Sequence, residues 1–116
     1  MITEQIKTIA VETLVQEVTS LKQTEYDLVA ITCTYDEMLE LSYSFEKEQE
    51  FLHLRLVIDR GTQLASISQL YAYAFLYENE IKELFDVKIT GITIDFENQL
   101  YQIAEKTPFI TNKEES

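Results

Sequence analysis

The chain has 116 residues, 46% of them apolar, and 21 acidic against 9 basic side chains leave a net charge of −12. That length permits one modest core, and two glycines with one proline in an apolar chain describe an ordered domain, not a disordered acidic tail. The charge excludes a nucleic-acid partner and adsorption to an anionic membrane, both of which need lysine and arginine clusters.

A basic protein partner complements such a charge, and plain solubility also accounts for it. No apolar run approaches the roughly 20 residues that span a bilayer. The opening MITEQIKTIAV lacks the basic, apolar, small-residue order of a signal peptide. The expected location is therefore cytoplasmic, without membrane insertion. Cys33 stands alone, which allows no internal disulfide and agrees with a reducing compartment.

In chain order, residues 1–11 fit either a short edge strand or the start of a helix. Leu14, Val15, Val18 and Leu21 share one face, which predicts a helix over 11–21. Residues 26–35 are dense in β-branched side chains and nearly apolar on both faces, the pattern of a central strand. Leu39, Leu41, Tyr43 and Phe45 then alternate with polar residues in a half-buried strand. After the polar loop 46–50, Leu52, Leu54, Leu56 and Ile58 alternate with His53, Arg55, Val57 and Asp59 in a third strand. Short links between these strands predict an antiparallel meander.

Residues 66–91 read as one amphipathic helix, capped by Ser66 or Ser68. On a helical wheel Ile67, Leu70, Tyr71, Ala74, Tyr77, Ile81, Leu84 and Phe85 form one apolar stripe. Tyr73 and Leu76 fall off it, so apolar surface spreads around the helix and another protein is expected to cover part of it. A last strand over 87–94, broken near Gly91, leads to an irregular arm beyond residue 98. The reading is an α+β fold: an antiparallel three- to four-stranded sheet with two helices packed on one face. Residues 1–110 make a single domain, and 111–116 a frayed tail.

Chemistry-bearing constellations are scarce. Cys33 and His53 have no partners at zinc or iron–sulfur spacing, so no metal site is expected. Ser66 and Ser68 lack a histidine or lysine at a suggestive spacing, and the two glycines, Gly61 and Gly91, are too far apart for a phosphate loop. Glu80 and Glu83 sit on the polar side of the wheel and read as a solvated face. Glu78 sits on the apolar side, where a carboxylate must find a partner or take up a proton. Lys82, one turn on, Arg55, or an arginine of another subunit are the candidates. Tyr71, Tyr73 and Tyr77 repeat within two turns, and Tyr101 stands in the arm. Tyrosine suits interfaces, because it buries a ring and keeps a hydrogen bond at its tip.

The same helix carries a family resemblance. Ser66, Ala74, Glu78, Glu80 and Phe85 match the signature segment of the complex I 30 kDa subunit family of NADH-quinone oxidoreductases, with Asn79 where an arginine is usual. The spelling AFLYENEI over 74–81 and the tail NQLYQIAEKTPF over 98–109 resemble the short homologous subunit of energy-converting, membrane-bound nickel-iron hydrogenases. Glu83 replaces the family's aspartate, Asp86 its glycine, and Ile92-Thr93 the His-Pro of the longer relatives, which argues against a full-length complex I subunit. Asp86 tolerates a left-handed helix end, so the helix can still stop there.

The resemblance implies a non-catalytic subunit that binds no cofactor. It would brace a hydrogenase-type large subunit and an iron–sulfur small subunit in the hydrophilic arm, peripheral to the membrane. Such a complex oxidises ferredoxin, reduces protons and pumps ions. Tyr73, Leu76, Tyr77, Glu78, Glu80, Glu83 and Phe85 are the expected signature and interface residues. A shortened 30 kDa-type subunit of a complex I-like NADH or ferredoxin dehydrogenase and a free-standing acidic interaction module are the alternatives.

Overall fold

A computed structural model describes residues 2–97 and 99. The expected arm from residue 98 onward, with Tyr101 and the tail 111–116, lies outside the described residues apart from Gln99. A four-stranded sheet runs in the order β1-β4-β3-β2. Its strands are β1 (Thr3–Thr8), β2 (Asp27–Tyr35), β3 (Leu39–Lys47) and β4 (Glu50–Ile58). β2, β3 and β4 form the predicted antiparallel meander, and β1 joins β4 in parallel. A separate parallel pair holds β5 (Gln63–Ala65) and β6 (Lys88–Thr90).

Alternation places the core. Tyr43 opposes Leu54, Leu41 opposes Leu56, and Leu39 opposes Ile58. All six are buried, so one face of the central strands is wholly apolar. Leu14, Val18 and Leu21 of α1 (Leu14–Gln23) and Ala74 and Ile81 of α2 (Ala74–Phe85) bury into the same cluster. Both helices therefore lie on that face, as the α+β reading expected. Lys7 of β1 reaches Glu17 of α1 at 3.0 Å and braces the helix against the sheet edge. Among the described residues no helix is long and apolar enough to cross a membrane.

Several expectations change. Residues 27–35 form an edge strand, not a central one, because β1 takes the far side of β4 and leaves β3 and β4 in the middle. Ile31, with Leu28 and Cys33 beside it, faces the core, and α2 packs along this strand. The ambiguous N-terminus resolves into strand β1, and a 3₁₀ turn, Val11–Thr13, precedes α1. Val15 is 40% exposed, so the α1 stripe is narrower than the wheel implied.

The long helix shrinks most. Residues 66–67 are irregular, turns and a bend occupy 68–73, and α2 begins only at Ala74, with Tyr73 at its cap making no side-chain capping bond. Neither Ser66 nor Ser68 caps it. Leu84, expected in the stripe, is 58% exposed. The helix ends at Asp86 in the left-handed region, with φ 57° and ψ 35°. The last strand is shorter than expected and pairs with β5, which was not foreseen.

The loop predicted at 46–50 reduces to Glu48 and Gln49, both at positive φ, 54° and 85°. A two-residue hairpin needs that conformation to match strand twist, and it normally recruits Asn-Gly. Held there, a side chain costs about 1–2 kcal/mol. Gln49→Gly should therefore stabilise the domain by about 0.5–1 kcal/mol, after the larger entropy that glycine loses on folding. Thermal denaturation should show a rise of a few degrees, and an unchanged or lowered midpoint would mean that the turn carries no such strain.

Candidate functional site

Glu78 is fully buried in the second turn of α2, between Ala74 and Ile81 on the apolar side. The chain supplies its partners from the turn ahead of the helix. Ser66 Oγ–H donates to Oε1 at 2.6 Å and the Ile67 amide to Oε2 at 2.9 Å. Around them the Ser68 amide donates to Ser66 Oγ, the two serine hydroxyls pair at 2.8 Å, and the Thr93 amide donates to Ser68 Oγ. The Ser66 amide donates to the Thr90 carbonyl. One carboxylate thus gathers residues 66–68, the end of β6 and the start of the following segment against α2.

The expected cations are elsewhere. Arg55 stands 3.6 Å from Glu40, and Lys82 holds Asp95 at 2.8 Å. The helix starts too late to carry Ser66 on its wheel, so the serine folds back and satisfies the carboxylate instead. Burial raises the Glu78 pKa, while the bonds from Ser66 and Ile67 oppose that shift without cancelling it.

Asn79 occupies the next position and is also buried. Its amide group donates to the Phe75 and Ile94 carbonyls at 2.7 and 2.8 Å, and its oxygen accepts the Phe96 amide at 2.9 Å. Lys82 and Asp95 close the same seam, and Lys82 holds the Asp95 carboxyl below its usual range. Phe75 and Phe96 meet edge to face at 6.2 Å. Adjacent residues of one helix thereby hold two different segments. Sequence reasoning passed over Asp95, read Ser68 only as a possible helix cap, and met Asn79 only as a departure from the arginine of the resemblance; the available signal was a neutral amide next to a carboxylate that already fell on the apolar side.

The other signature residues divide by exposure. Tyr73 is 77% exposed and Leu76 46%, and Glu80 also faces solvent. Tyr77 and Phe85 pack partly against the core. Tyr77 donates its hydroxyl to the Val29 carbonyl at 3.0 Å, and Tyr71 donates to the Tyr26 carbonyl at 2.6 Å. The two tyrosines thus cover carbonyls at the edge strand β2. Glu83 is half-buried, and its Oε2 is shielded without a hydrogen-bond partner among the described residues.

Among the described residues the carboxylates of this helix lie apart. Glu78 is enclosed, while Glu80 points outward from the next turn. Burial pushes the Cys33 thiol up to about 11, away from the thiolate that nucleophilic chemistry needs. His53 accepts or donates a 2.7 Å bond with Ser44 on the opposite sheet face, with Glu4 3.8 Å from its other nitrogen. Among the described residues no three histidine, cysteine or carboxylate side chains are grouped to hold a metal.

The family described as respiratory-chain NADH dehydrogenase, 30 Kd subunit, matches residues 7–98. The chain belongs to this family. The match takes in β2, β3 and β4, the last two residues of β1, α2 and both segments that α2 holds. No curated protein matches the chain. Family membership makes it a subunit type of an oxidoreductase complex, and the exposed part of α2 is its candidate contact surface.

Two substitutions test the enclosed carboxylate. Glu78→Ala removes the acceptor of the buried Ile67 amide, which alone should cost about 1–3 kcal/mol. Glu80→Ala, on the solvent side, should stay within about 0.5 kcal/mol. Equal small losses of melting temperature would place Glu78 in water. The sign of the pH dependence follows from the raised pKa. The carboxyl's contribution is fully present below the unfolded value of about 4.3 and is lost as pH rises through the raised folded value. Melting curves should show wild type losing stability relative to Glu78→Gln across that window, and parallel curves would overturn the assignment.

Proposed function

We propose that this family member is a non-catalytic accessory subunit in the hydrophilic arm of an energy-converting, membrane-bound nickel-iron hydrogenase. It binds no cofactor itself and braces the large subunit against the iron–sulfur small subunit. The observation that carries the reading is the outer side of α2, where Tyr73 and Leu76 remain exposed although both helices are already anchored to the core. Apolar side chains left uncovered one helical turn apart suit a permanent protein contact. The likeness of residues 74–81 and 98–109 to the short hydrogenase homologues supports the hydrogenase over other complexes.

A second reading is a shortened 30 kDa-type subunit of a complex I-like NADH or ferredoxin dehydrogenase, favoured by the description of the matched family. The two separate on the large subunit recovered with the chain. A hydrogenase large subunit carries paired Cys-x-x-Cys nickel ligands, whereas its complex I counterpart lacks them. Affinity purification of the tagged chain from its native membranes, read by mass spectrometry, should return the cysteine-bearing form together with an iron–sulfur subunit. Recovery of the form without those cysteines would assign the chain to the second reading, and recovery of neither would dismiss both.

Leu76→Asp tests the surface itself. The side chain is 46% exposed, so the isolated domain should melt within about 0.5 kcal/mol of wild type. Assembly into the complex should fall at least tenfold, because an apolar contact is replaced by a desolvated charge. Unfolding of the isolated domain would put Leu76 in the core, and full assembly would move the contact off α2.

A further inference from the structure

Beside the exposed part of α2 lies a cavity of ≈ 430 Å³, formed by the end of α1, the start of β2 and the turn that leads into α2. Lys22, Asp27, Leu28, Tyr71, Ala72 and Tyr73 line it. Two of its polar tips are engaged within the chain. The Tyr71 hydroxyl donates to the Tyr26 carbonyl, and the Lys22 ammonium lies over the Tyr71 ring, 4.9 Å from its centre. Tyr73 of the lining and Leu76, one turn on in α2, are exposed. Val29, 43% exposed, lies at the β2 irregularity, where its carbonyl accepts the Tyr77 hydroxyl.

One charge at this lip is uncompensated. Asp27 faces solvent and makes no ion pair or side-chain hydrogen bond among the described residues. Lys22, the cation of the lining, is turned onto an aromatic face. A ligand that fills the recess must bring apolar volume and a positive charge together. A second copy of this chain is a poor source of that combination, since it adds 21 carboxylates against 9 cations. Aromatic recesses with one charged lip are the places where interfaces concentrate their binding energy.

We propose that this recess receives an apolar side chain of the neighbouring subunit, flanked in sequence by an arginine or lysine that pairs with Asp27. The inference rests on the subunit reading above and names the chemistry of the contact. Tyr73 forms the wall that the incoming side chain packs against, and Leu76 extends the contact along α2. The Asp27 carboxylate selects the cation and sets the register of the approaching segment.

The test uses the full chain, tagged, in its native cells, with the photo-reactive residue p-benzoylphenylalanine at position 73 or, for comparison, at position 32 on the opposite sheet face. Irradiation and mass spectrometry of the purified material give the cross-linked peptide. The expected product joins position 73 to an oxidoreductase subunit within two residues of an arginine or lysine, while position 32 gives little. Asp27→Lys should then reduce the recovered complex at least tenfold, and reversing the identified cation to glutamate should restore it. A complex that forms but cross-links from position 32 alone, to an acidic segment, or between two copies of this chain overturns the inference and leaves the subunit reading standing. Absence of any oxidoreductase subunit from the purified material overturns both.

Discussion

A single ionisable group enclosed in a helix determines how the C-terminal half of this domain is held. The Glu78 carboxylate lies in a place where desolvation penalises its charge, and the fold answers with donors from a turn 11 and 12 residues earlier in the chain. Because those donors belong to Ser66 and Ile67, the turn cannot leave α2 without stranding a buried amide and a buried carboxylate together. The serine pair then relays the constraint to Thr93, and the Ser66 amide ties in Thr90. The small β5–β6 sheet and the segment after it are thereby indexed to one position of the helix.

Asn79 completes this arrangement from the adjacent position, by chemistry that a charged residue could not supply. Its amide presents donors and an acceptor at once, and it uses both toward the backbone at 94 and 96. An arginine at this position would offer donors alone and could not accept the Phe96 amide. With the inner side of α2 committed to these contacts, only its outer side is left for another protein. Tyr73 and Leu76 lie there, next to a recess whose polar groups are largely spent inside the chain. The same helix therefore organises the domain and, on the proposed reading, also offers the surface by which the domain is recognised.

The central strands were legible because their environment is simple. Leu39 to Phe45 alternate with polar neighbours and Leu54 to Ile58 with Arg55 and the exposed Val57, and a half-buried strand imposes that period. The meander followed from short links. The candidate site was legible only in part: Glu78 could be recognised as misplaced on an apolar stripe, but its partners could not be named. Helical spacing pointed to Lys82, to a cation from elsewhere or to a proton, whereas a serine hydroxyl and a backbone amide satisfy the carboxylate. Strand β2 misled for a related reason. Its near-apolar composition on both faces looked like the mark of a central position, yet it is an edge, and tyrosine hydroxyls cover the carbonyls of Val29 and of Tyr26 just ahead of it.

By itself, the sequence determined the quantities that depend on local periodicity and composition: an acidic, single-core α+β domain, the antiparallel meander, the left-handed stop at Asp86, and a helix with apolar side chains on more than one side. Each is a property of residues a few positions apart, set by pleat, helical repeat or backbone sterics. Only the tertiary structure decided the strand order, the parallel docking of β1, the length of α2 and the identity of the groups facing Glu78 and Asn79. Those outcomes join residues that are distant in the chain. The contest between continuing a helix through 66–73 and folding that segment back was settled by the buried carboxylate, a long-range term that no local propensity contains.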